Sequence, residues 1–235
     1  MTRNLKAIGL ALVAILAMGA LVAGNASAAG ERFHSEIEKT ILTGETEAGT
    51  EDHFRAGSLE ITCKKTISRG TLVGAGNAGN FVATEITAHP TFIECSDNVF
   101  GGTDVVDSAG CNTVVKAETN ASKHLPLEIE CTTGAAIKVT APGCTLSFGS
   151  QKAGGGFIVK NEGSGSTRST TGTLTATLAF TKSGFSCGLI SATIGEYISK
   201  GIGKGFVDNG RTGEIDEAAS TAVYTEGAQV GLWWE

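Results

Sequence analysis

The sequence is poor in the residues from which catalytic and metal sites are built. Its four histidines are scattered, and none of its six cysteines forms a Cys-x-x-Cys pair. Zinc centres draw on closely spaced cysteine and histidine ligands, so we predict no metal at the cysteines. The histidines are His34, His53, His89 and His124.

Basic residues are also in short supply. Two of the 18 Lys and Arg residues and none of the 24 acidic residues lie in the first 28 positions, which leaves the remainder with a net charge of −8. Nucleic-acid binding needs clustered Lys and Arg to displace counterions from phosphates. We therefore predict no nucleic-acid partner and an acidic surface that serves solubility.

Only one long apolar run occurs. Arg3 and Lys6 precede an apolar stretch over residues 7–22, and Ala26-Ser27-Ala28 has the small side chains after which a signal peptidase cuts. The run is shorter than the roughly 20 residues that cross a bilayer. We predict a Sec-type signal peptide over residues 1–28 with cleavage near Ala28. The remaining residues, 29–235, should be secreted or extracellular, with no integral membrane segment.

Glycine is abundant, with 33 residues, and long helical patterns are hard to find after the signal. Alternation of apolar and polar residues, the pattern of a half-buried strand, recurs in Leu59–Cys63, Leu127–Cys131 and Leu174–Phe180. Glycine-rich turns separate about a dozen short stretches of this kind. We predict a single all-β domain of antiparallel sheets, packed as a sandwich of jelly-roll type or closed into a barrel.

Three segments are predicted to connect strands. Residues 74–79 fit the G-x-G-x-x-G pattern of dinucleotide sites, but a β-branched stretch follows where that motif needs a helix. We predict a hairpin turn there and no cofactor. Residues 161–172, rich in Gly and Ser, predict a loop or hairpin tip within the domain, and the acidic residues 44–52 predict an exposed loop.

Six cysteines in an exported chain predict three disulfide bonds. They are Cys63, Cys95, Cys111, Cys131, Cys144 and Cys187. Their spacing leaves the connectivity open. Our preferred pairing joins Cys131 to Cys144, Cys63 to Cys95 and Cys111 to Cys187. The main rival joins Cys95 to Cys111 and Cys63 to Cys187.

One stretch imitates a catalytic motif. Residues 184–188 fit G-x-S-x-G, in which a nucleophilic Ser186 would be followed along the chain by an acid and a histidine. The last histidine is His124, so this order fails, and a β-rich stretch follows where the motif needs a helix. We predict no catalytic residue and no enzyme activity.

Two glycine turns are flanked by acidic residues. Neither matches an EF-hand loop, which needs alternating oxygen ligands, a central glycine and a distal glutamate. We predict solvated loop acids and no metal, and we leave calcium binding open. The residues are Asp97, Asp104 and Asp107 in one turn and Asp208, Asn209 and Asp216 in the other.

Both tryptophans, Trp233 and Trp234, lie in one strand-like segment. Adjacent residues of a strand point to opposite faces, so at least one should pack in the core or at an edge. An exposed aromatic face is suited to stacking on sugar rings. The two tryptophans are therefore our candidate ligand-contact aromatics, and a cell-envelope polysaccharide or a surface protein is the candidate partner.

Several short phrases carry a resemblance to a known group of proteins. They are Phe33–Glu36, residues 56–59 leading to Cys63, residues 89–92 leading to Cys95, Gly110-Cys111, the Cys131 to Cys144 segment with Ile137–Val139, and residues 230–233. Together they resemble a family of secreted, cysteine-containing all-β proteins of high-GC Gram-positive bacteria that has no known function. The resemblance implies export and β structure, and no functional residue can be carried over from it.

These observations predict a secreted or cell-surface β protein without enzyme activity that acts as a binding or adhesion module. One alternative is a structural envelope or matrix protein that self-associates through an edge strand. Another is an exported hydrolase, which would place a histidine within hydrogen-bond reach of a serine or an acid. The sequence names no ligand or oligomeric state.

Overall fold

A computed structural model describes residues 32–36, 40–77, 80–117, 124–208, 226–230 and 232–234. The predicted signal peptide and its cleavage site lie outside these residues. All of the described strands belong to one compact unit, Glu31–Glu235. Within the described residues, no helix is long and apolar enough to cross a membrane.

The described residues form seventeen β-strands and two short 3-10 helices. The strands are β1 Phe33–Ser35, β2 Thr40–Thr46, β3 Asp52–Ala56, β4 Leu59–Asn77, β5 Asn80–Asp97, β6 Thr103–Asp107, β7 Cys111–Lys116, β8 Leu127–Cys131, β9 Ile137–Ala141, β10 Cys144–Phe148, β11 Gln151–Lys152, β12 Gly154–Glu162, β13 Ser169–Ala179, β14 Thr181–Ser183, β15 Ile194–Asp208, β16 Glu226–Val230 and β17 Leu232–Trp234. The 3-10 helices are Gly165–Thr167 and Phe185–Leu189. The predicted all-β, antiparallel fold is confirmed.

Most of the strands close into a ring. From β4 the order runs through β5, β7 and β8 to β11 and β12, which follow each other along the chain and share one position, and then through β13 to β15. β15 pairs with both β2 and β3, and these two strands pair with β4, which closes the ring. Every pairing is antiparallel. Leu125 and Phe157 strengthen the junction between the β8 and β12 sides, because each donates its backbone N–H to the carbonyl of the other, at 2.7 and 2.9 Å. A sheet closed in this way has an inner face that is shielded from solvent.

A second, four-stranded sheet packs against the ring. Its order is β6, β9, β10, β14, and β6 connects the two sheets because it also pairs with β5. Phe148 of this sheet packs edge-on against Phe54 of the ring, with 5.0 Å between the ring centroids. Of the two architectures that the sequence left open, the protein combines elements of both: a closed sheet and a second sheet stacked on it.

The longest hairpin joins β4 and β5, which lie on either side of residues 78 and 79, with Asn77 opposite Asn80. The predicted hairpin is confirmed, but the turn predicted over residues 74–79 is too long, because residues 74–77 are paired strand residues at the end of β4. β5 runs through Pro90 without interruption, although proline lacks the N–H that a ladder needs. It is tolerated because β7 pairs with β5 only as far as Ala88, and β6 pairs with β5 only from Cys95 onward, which leaves a gap on that side.

Residues 161–172 contain a hairpin tip, as predicted, but the tip is shorter than that range, because both ends of the range are paired strand residues. β12 and β13 pair from Gly154 with Thr177 to Glu162 with Ser169, so the Gly- and Ser-rich segment forms the tip of a hairpin. The 3-10 helix Gly165–Thr167 makes the turn. Gly163 adopts a φ of +74°, a left-handed conformation that is unfavourable for other residues.

All six cysteines are disulfide-bonded, and the preferred connectivity is only partly correct. The bond between Cys63 and Cys95 is confirmed, and the other bonds are Cys111–Cys131 and Cys144–Cys187. The preferred pairs Cys131–Cys144 and Cys111–Cys187 are wrong, and so are the rival pairs Cys95–Cys111 and Cys63–Cys187. The physical reason is register: Cys63 lies opposite Cys95 on β4 and β5, and Cys111 lies opposite Cys131 on β7 and β8. Three disulfides indicate an oxidising environment.

Candidate ligand cavity

The ring encloses a cavity of about 240 Å³. Strands all around the ring contribute to its wall, and alternate residues of single strands line it, for example Ile86, Ala88 and Pro90 of β5. This spacing is that of one face of a strand, which shows that the inner face of the closed sheet forms most of the wall. Val106, Val139 and Phe148 of the second sheet complete it.

The wall is mainly apolar. Phe33, Phe92, Phe157 and Leu174 are among the side chains that line it, together with apolar residues of β8 and β9. An engineered apolar cavity of about 150 Å³ stays dry and binds benzene. By that comparison this cavity has room for an apolar molecule of roughly ten non-hydrogen atoms.

One part of the wall is polar, and we call it the polar cluster: Thr46, Asp52, Thr66, Tyr197 and Ser199. Asp52 is only 1% exposed, and its Oδ2 accepts a hydrogen bond from the Thr46 hydroxyl at 2.8 Å. Thr46 Oγ1 in turn accepts the backbone N–H of Thr66 at 2.7 Å. The other carboxylate oxygen, Asp52 Oδ1, is buried without a hydrogen-bond partner among the described residues.

Tyr197 is brought to the cluster by β15, on which it lies opposite Phe54 of β3. Burial raises the pKa of the Tyr197 phenol, and the nearby charge of Asp52 raises it further, whereas contacts with the Thr66 and Ser199 hydroxyls oppose this effect. The phenol is therefore protonated at neutral pH and can both donate and accept a hydrogen bond.

Two predicted sets of site residues have different positions relative to the cavity. Cys63 contributes to the wall, and the six cysteines serve as cross-links between strands and loops. Trp233 and Trp234 lie in β17, where their backbones pair with those of His34 and Phe33. The side chains of both tryptophans lie outside the described part of the structure, so their role as ligand contacts stays a prediction.

The hydrolase alternative requires a histidine near a serine or an acid, and the described residues include two such pairs. His53 Nδ1 lies 3.1 Å from Glu60 Oε1, and the same oxygen is paired with Arg55 at 2.8 Å, which makes it part of a surface ion pair. Ser108 Oγ lies 3.3 Å from His89 Nε2, and His89 Nδ1 lies 2.8 Å from the carbonyl oxygen of Cys111. However, the Ser108 hydroxyl donates its hydrogen to the Pro90 carbonyl at 2.5 Å, and Ser108 is only 7% exposed. The serine therefore satisfies the carbonyl at the gap in the β5 ladder, which is a structural role.

The G-x-S-x-G phrase forms the 3-10 helix Phe185–Leu189. Its Cys187 is bonded to Cys144, and the backbone N–H of Ser186 donates to the Gly143 carbonyl at 3.0 Å. The segment thus anchors the second sheet, and no strand–turn–helix geometry of a nucleophile elbow is formed there.

The acidic turn at Asp97 and Asp104 contains a close carboxyl pair. Asp104 is 4% exposed, and neither of its buried carboxylate oxygens, nor Asp97 Oδ2, has a hydrogen-bond partner within the described part of the chain. Burial, together with the charge of Asp97, raises the pKa of Asp104 to about 7. Protonated Asp104 can donate a hydrogen bond to Asp97, which supplies the missing partner. Asp107 instead accepts the backbone N–H of Ala109 at 2.9 Å.

Within the described residues, no group of three or more His, Cys, Asp or Glu side chains is arranged to hold a metal ion. Asn209 and Asp216 of the second acidic turn lie outside those residues. The sequence left calcium binding at that turn open, and it stays so.

Sequence reasoning missed the polar cluster because it expected residues 44–52 to form an exposed acidic loop. That expectation is wrong at both ends: β2 continues through Thr46, and Asp52 begins β3 with its side chain buried. The signal that could have found it is the alternation in Asp52-His53-Phe54-Arg55-Ala56, which places Asp52 on the same face as Phe54 and Ala56.

Comparison of the chain with protein-family models, with curated proteins and with solved structures gives no match. The resemblance to secreted proteins of high-GC Gram-positive bacteria stays a prediction. Function is therefore inferred from the structure of this chain alone.

Proposed function

We propose that this chain is a secreted, non-enzymatic binding protein that holds a small apolar molecule inside its closed sheet. The observation that supports this proposal is the apolar cavity of about 240 Å³. Protein interiors are normally packed to crystal-like density, with few voids larger than a water molecule. A void of this size removes packing contacts, so its presence favours a role in binding.

Secretion is supported by two independent features. The first 28 residues have the charge and hydropathy pattern of a signal peptide. Three disulfides join all six cysteines of the described chain, which is typical of proteins that fold outside the cytosol. A polysaccharide or protein partner at the surface is the candidate that the tryptophans suggested, and the interior cavity suits a smaller, less polar ligand better.

Isothermal titration calorimetry of the mature protein with naphthalene tests the proposal. Naphthalene is neutral, rigid and apolar, and it has about ten non-hydrogen atoms, which suits the cavity. We expect saturable binding with one site per chain and a rise in Tm on adding the ligand. An absence of both heat and stabilisation for the wild-type protein would contradict the proposal.

A pair of matched variants locates the site. Ser68 of β4 lines the cavity and lies opposite Gly44 of β2, which has no side chain. The Ser68→Leu variant therefore fills part of the cavity with an apolar side chain. Ser96 is exposed on the neighbouring strand β5 and lies opposite Thr62. We expect S68L to weaken naphthalene binding at least tenfold and S96L to retain it. Equal loss in both variants would place the binding elsewhere.

A further inference from the structure

The polar cluster carries information on what the ligand is. This inference rests on the proposed function, since it concerns the same cavity. Asp52 is the most buried polar residue of the wall, at 1% exposed, and one of its two carboxylate oxygens, Oδ1, has no hydrogen-bond partner among the residues that the structure describes. More than about nine in ten buried polar groups in proteins are hydrogen-bonded, so this oxygen needs a donor from a further source.

The protein supplies only part of the hydrogen bonding that the carboxylate can accept. The Thr46 hydroxyl donates to Asp52 Oδ2, and Thr46 Oγ1 is held in place by the Thr66 backbone N–H. An ionised carboxylate accepts hydrogen bonds and donates none. A ligand group that completes Asp52 must therefore be a donor, such as a hydroxyl or an ammonium group.

The charged residues around the cavity also favour a ligand head group that donates hydrogen bonds. Among the described residues that line it, Glu45 and Asp52 are acidic and no Lys, Arg or His is present. Glu45 is already paired with Lys65 at 2.7 Å, at the surface of the sheet. A ligand with a carboxylate head, such as a fatty acid, would meet negative charge in an apolar enclosure without a cation to balance it.

We propose that the cavity binds a small apolar molecule that carries one hydrogen-bond-donating head group, a hydroxyl or an ammonium, which binds Asp52 Oδ1. The apolar body of the ligand lies against the aromatic and aliphatic wall, including Phe92, Phe157 and Leu174. Tyr197, beside Asp52, offers the same head group a second hydrogen-bonding partner. Selectivity then lies in the polar cluster, because apolar contact alone discriminates weakly between ligands of similar size.

Four ligands with one ring system separate the contributions of shape and head group. They are naphthalene, 2-naphthol, 2-naphthylmethylamine and 2-naphthoate, titrated calorimetrically into the wild-type protein at pH 7.5. We expect 2-naphthol, 2-naphthylmethylamine or both to bind at least tenfold more tightly than naphthalene, and 2-naphthoate to bind at least tenfold more weakly. A gain for the naphthol alone assigns a hydroxyl ligand, and a larger gain for the amine assigns a cation.

The outcomes distinguish this inference from the proposed function. Equal affinity for all four ligands, or tightest binding of 2-naphthoate, would overturn the head-group assignment and leave the apolar cavity as the site. Failure of all four to bind would overturn both. This series uses the wild-type chain, so its result does not depend on whether a variant folds.

Two isosteric variants then test the residue. We expect D52N to reduce the advantage of the donor ligands over naphthalene at least tenfold, while naphthalene itself binds as before. Thr113→Val serves as the control: Thr113 also lines the cavity, on β7, and donates to the Ala88 carbonyl at 3.1 Å. An advantage that persists in D52N, or falls equally in T113V, would refute the role of Asp52.

Discussion

Replacing Asp104 with asparagine should stabilise the protein at pH 8 and leave its stability at pH 4 unchanged. The carboxyl group of Asp104 is 4% exposed and lies beside that of Asp97. Burial disfavours its charged form, and the neighbouring charge disfavours it further, so its pKa rises from 3.8 to about 7. Asparagine has nearly the same shape and carries no charge at any pH.

The sign follows from proton linkage. Between pH 3.8 and about 7 the folded protein holds a proton on Asp104 that the unfolded chain has released. The free energy of unfolding therefore falls as the pH rises through this window, and levels off above it. The full difference in pKa corresponds to about 4 kcal/mol. We halve it to about 2 kcal/mol, because the pair lies near the molecular surface, where water screens the charges.

Urea unfolding of both proteins, followed by circular dichroism at pH 4, 6 and 8, measures the effect. We expect the D104N variant to exceed the wild type by about 2 kcal/mol at pH 8 and to match it at pH 4. Asp107→Asn on the same strand, at an exposed position, is the control and should show no such dependence. A D104N variant that is less stable than the wild type at pH 8 would show that the ionised carboxylate is stabilised, for example by a bound cation.

Three further pairs of changes have expected outcomes that equilibrium unfolding can check. Gly70→Ala should cost about 3 kcal/mol or more, since its Cβ would lie 2.0 Å from the backbone oxygen of Thr87, whereas Gly149→Ala, with nothing within 4 Å, should be tolerated. Phe148→Ala should cost about 3 to 4 kcal/mol through the lost contacts with its aromatic neighbours, and Phe185→Ala, 92% exposed, less than about 0.5 kcal/mol. Removing the Cys144–Cys187 bond, with a separation of 43 residues, should cost about 4 kcal/mol, and removing Cys111–Cys131, with a separation of 20, about 3 kcal/mol. Equal costs within either matched glycine or phenylalanine pair, or a larger cost for the shorter disulfide loop, would contradict the reasoning.

Local pattern predicted the strands well where one face of a strand is buried. Leu59–Cys63 and Leu127–Cys131 alternate in sequence and form the start of β4 and the whole of β8, respectively. Local pattern alone does not predict that β5 continues through Pro90, since proline normally ends a strand. It could not see the gap in the neighbouring ladder that makes room for the proline, because that gap depends on residues elsewhere in the chain.

The cavity and the disulfide pairing depend on contacts between distant parts of the chain. Asp52 is buried because β15, which carries Tyr197, closes the ring against β3. The six cysteines gave the number of bonds, but the register of β7 on β8, which brings Cys111 opposite Cys131, is set by the whole sheet. Alternation within a strand shows which residues share a face, and it does not show what that face will enclose.

The three disulfides join each cysteine to its nearest unused neighbour along the chain, in the order first to second, third to fourth and fifth to sixth. The loops that they close neither overlap nor enclose one another. A thiol oxidant that acts on cysteines in the order in which they emerge during synthesis or export therefore forms the native bonds directly, with no reshuffling by an isomerase. Closure of the ring pairs β2 with β15, and β15 follows the last cysteine, Cys187, along the chain. With oxidation in that order, all three cross-links can form before the strand that closes the cavity has emerged.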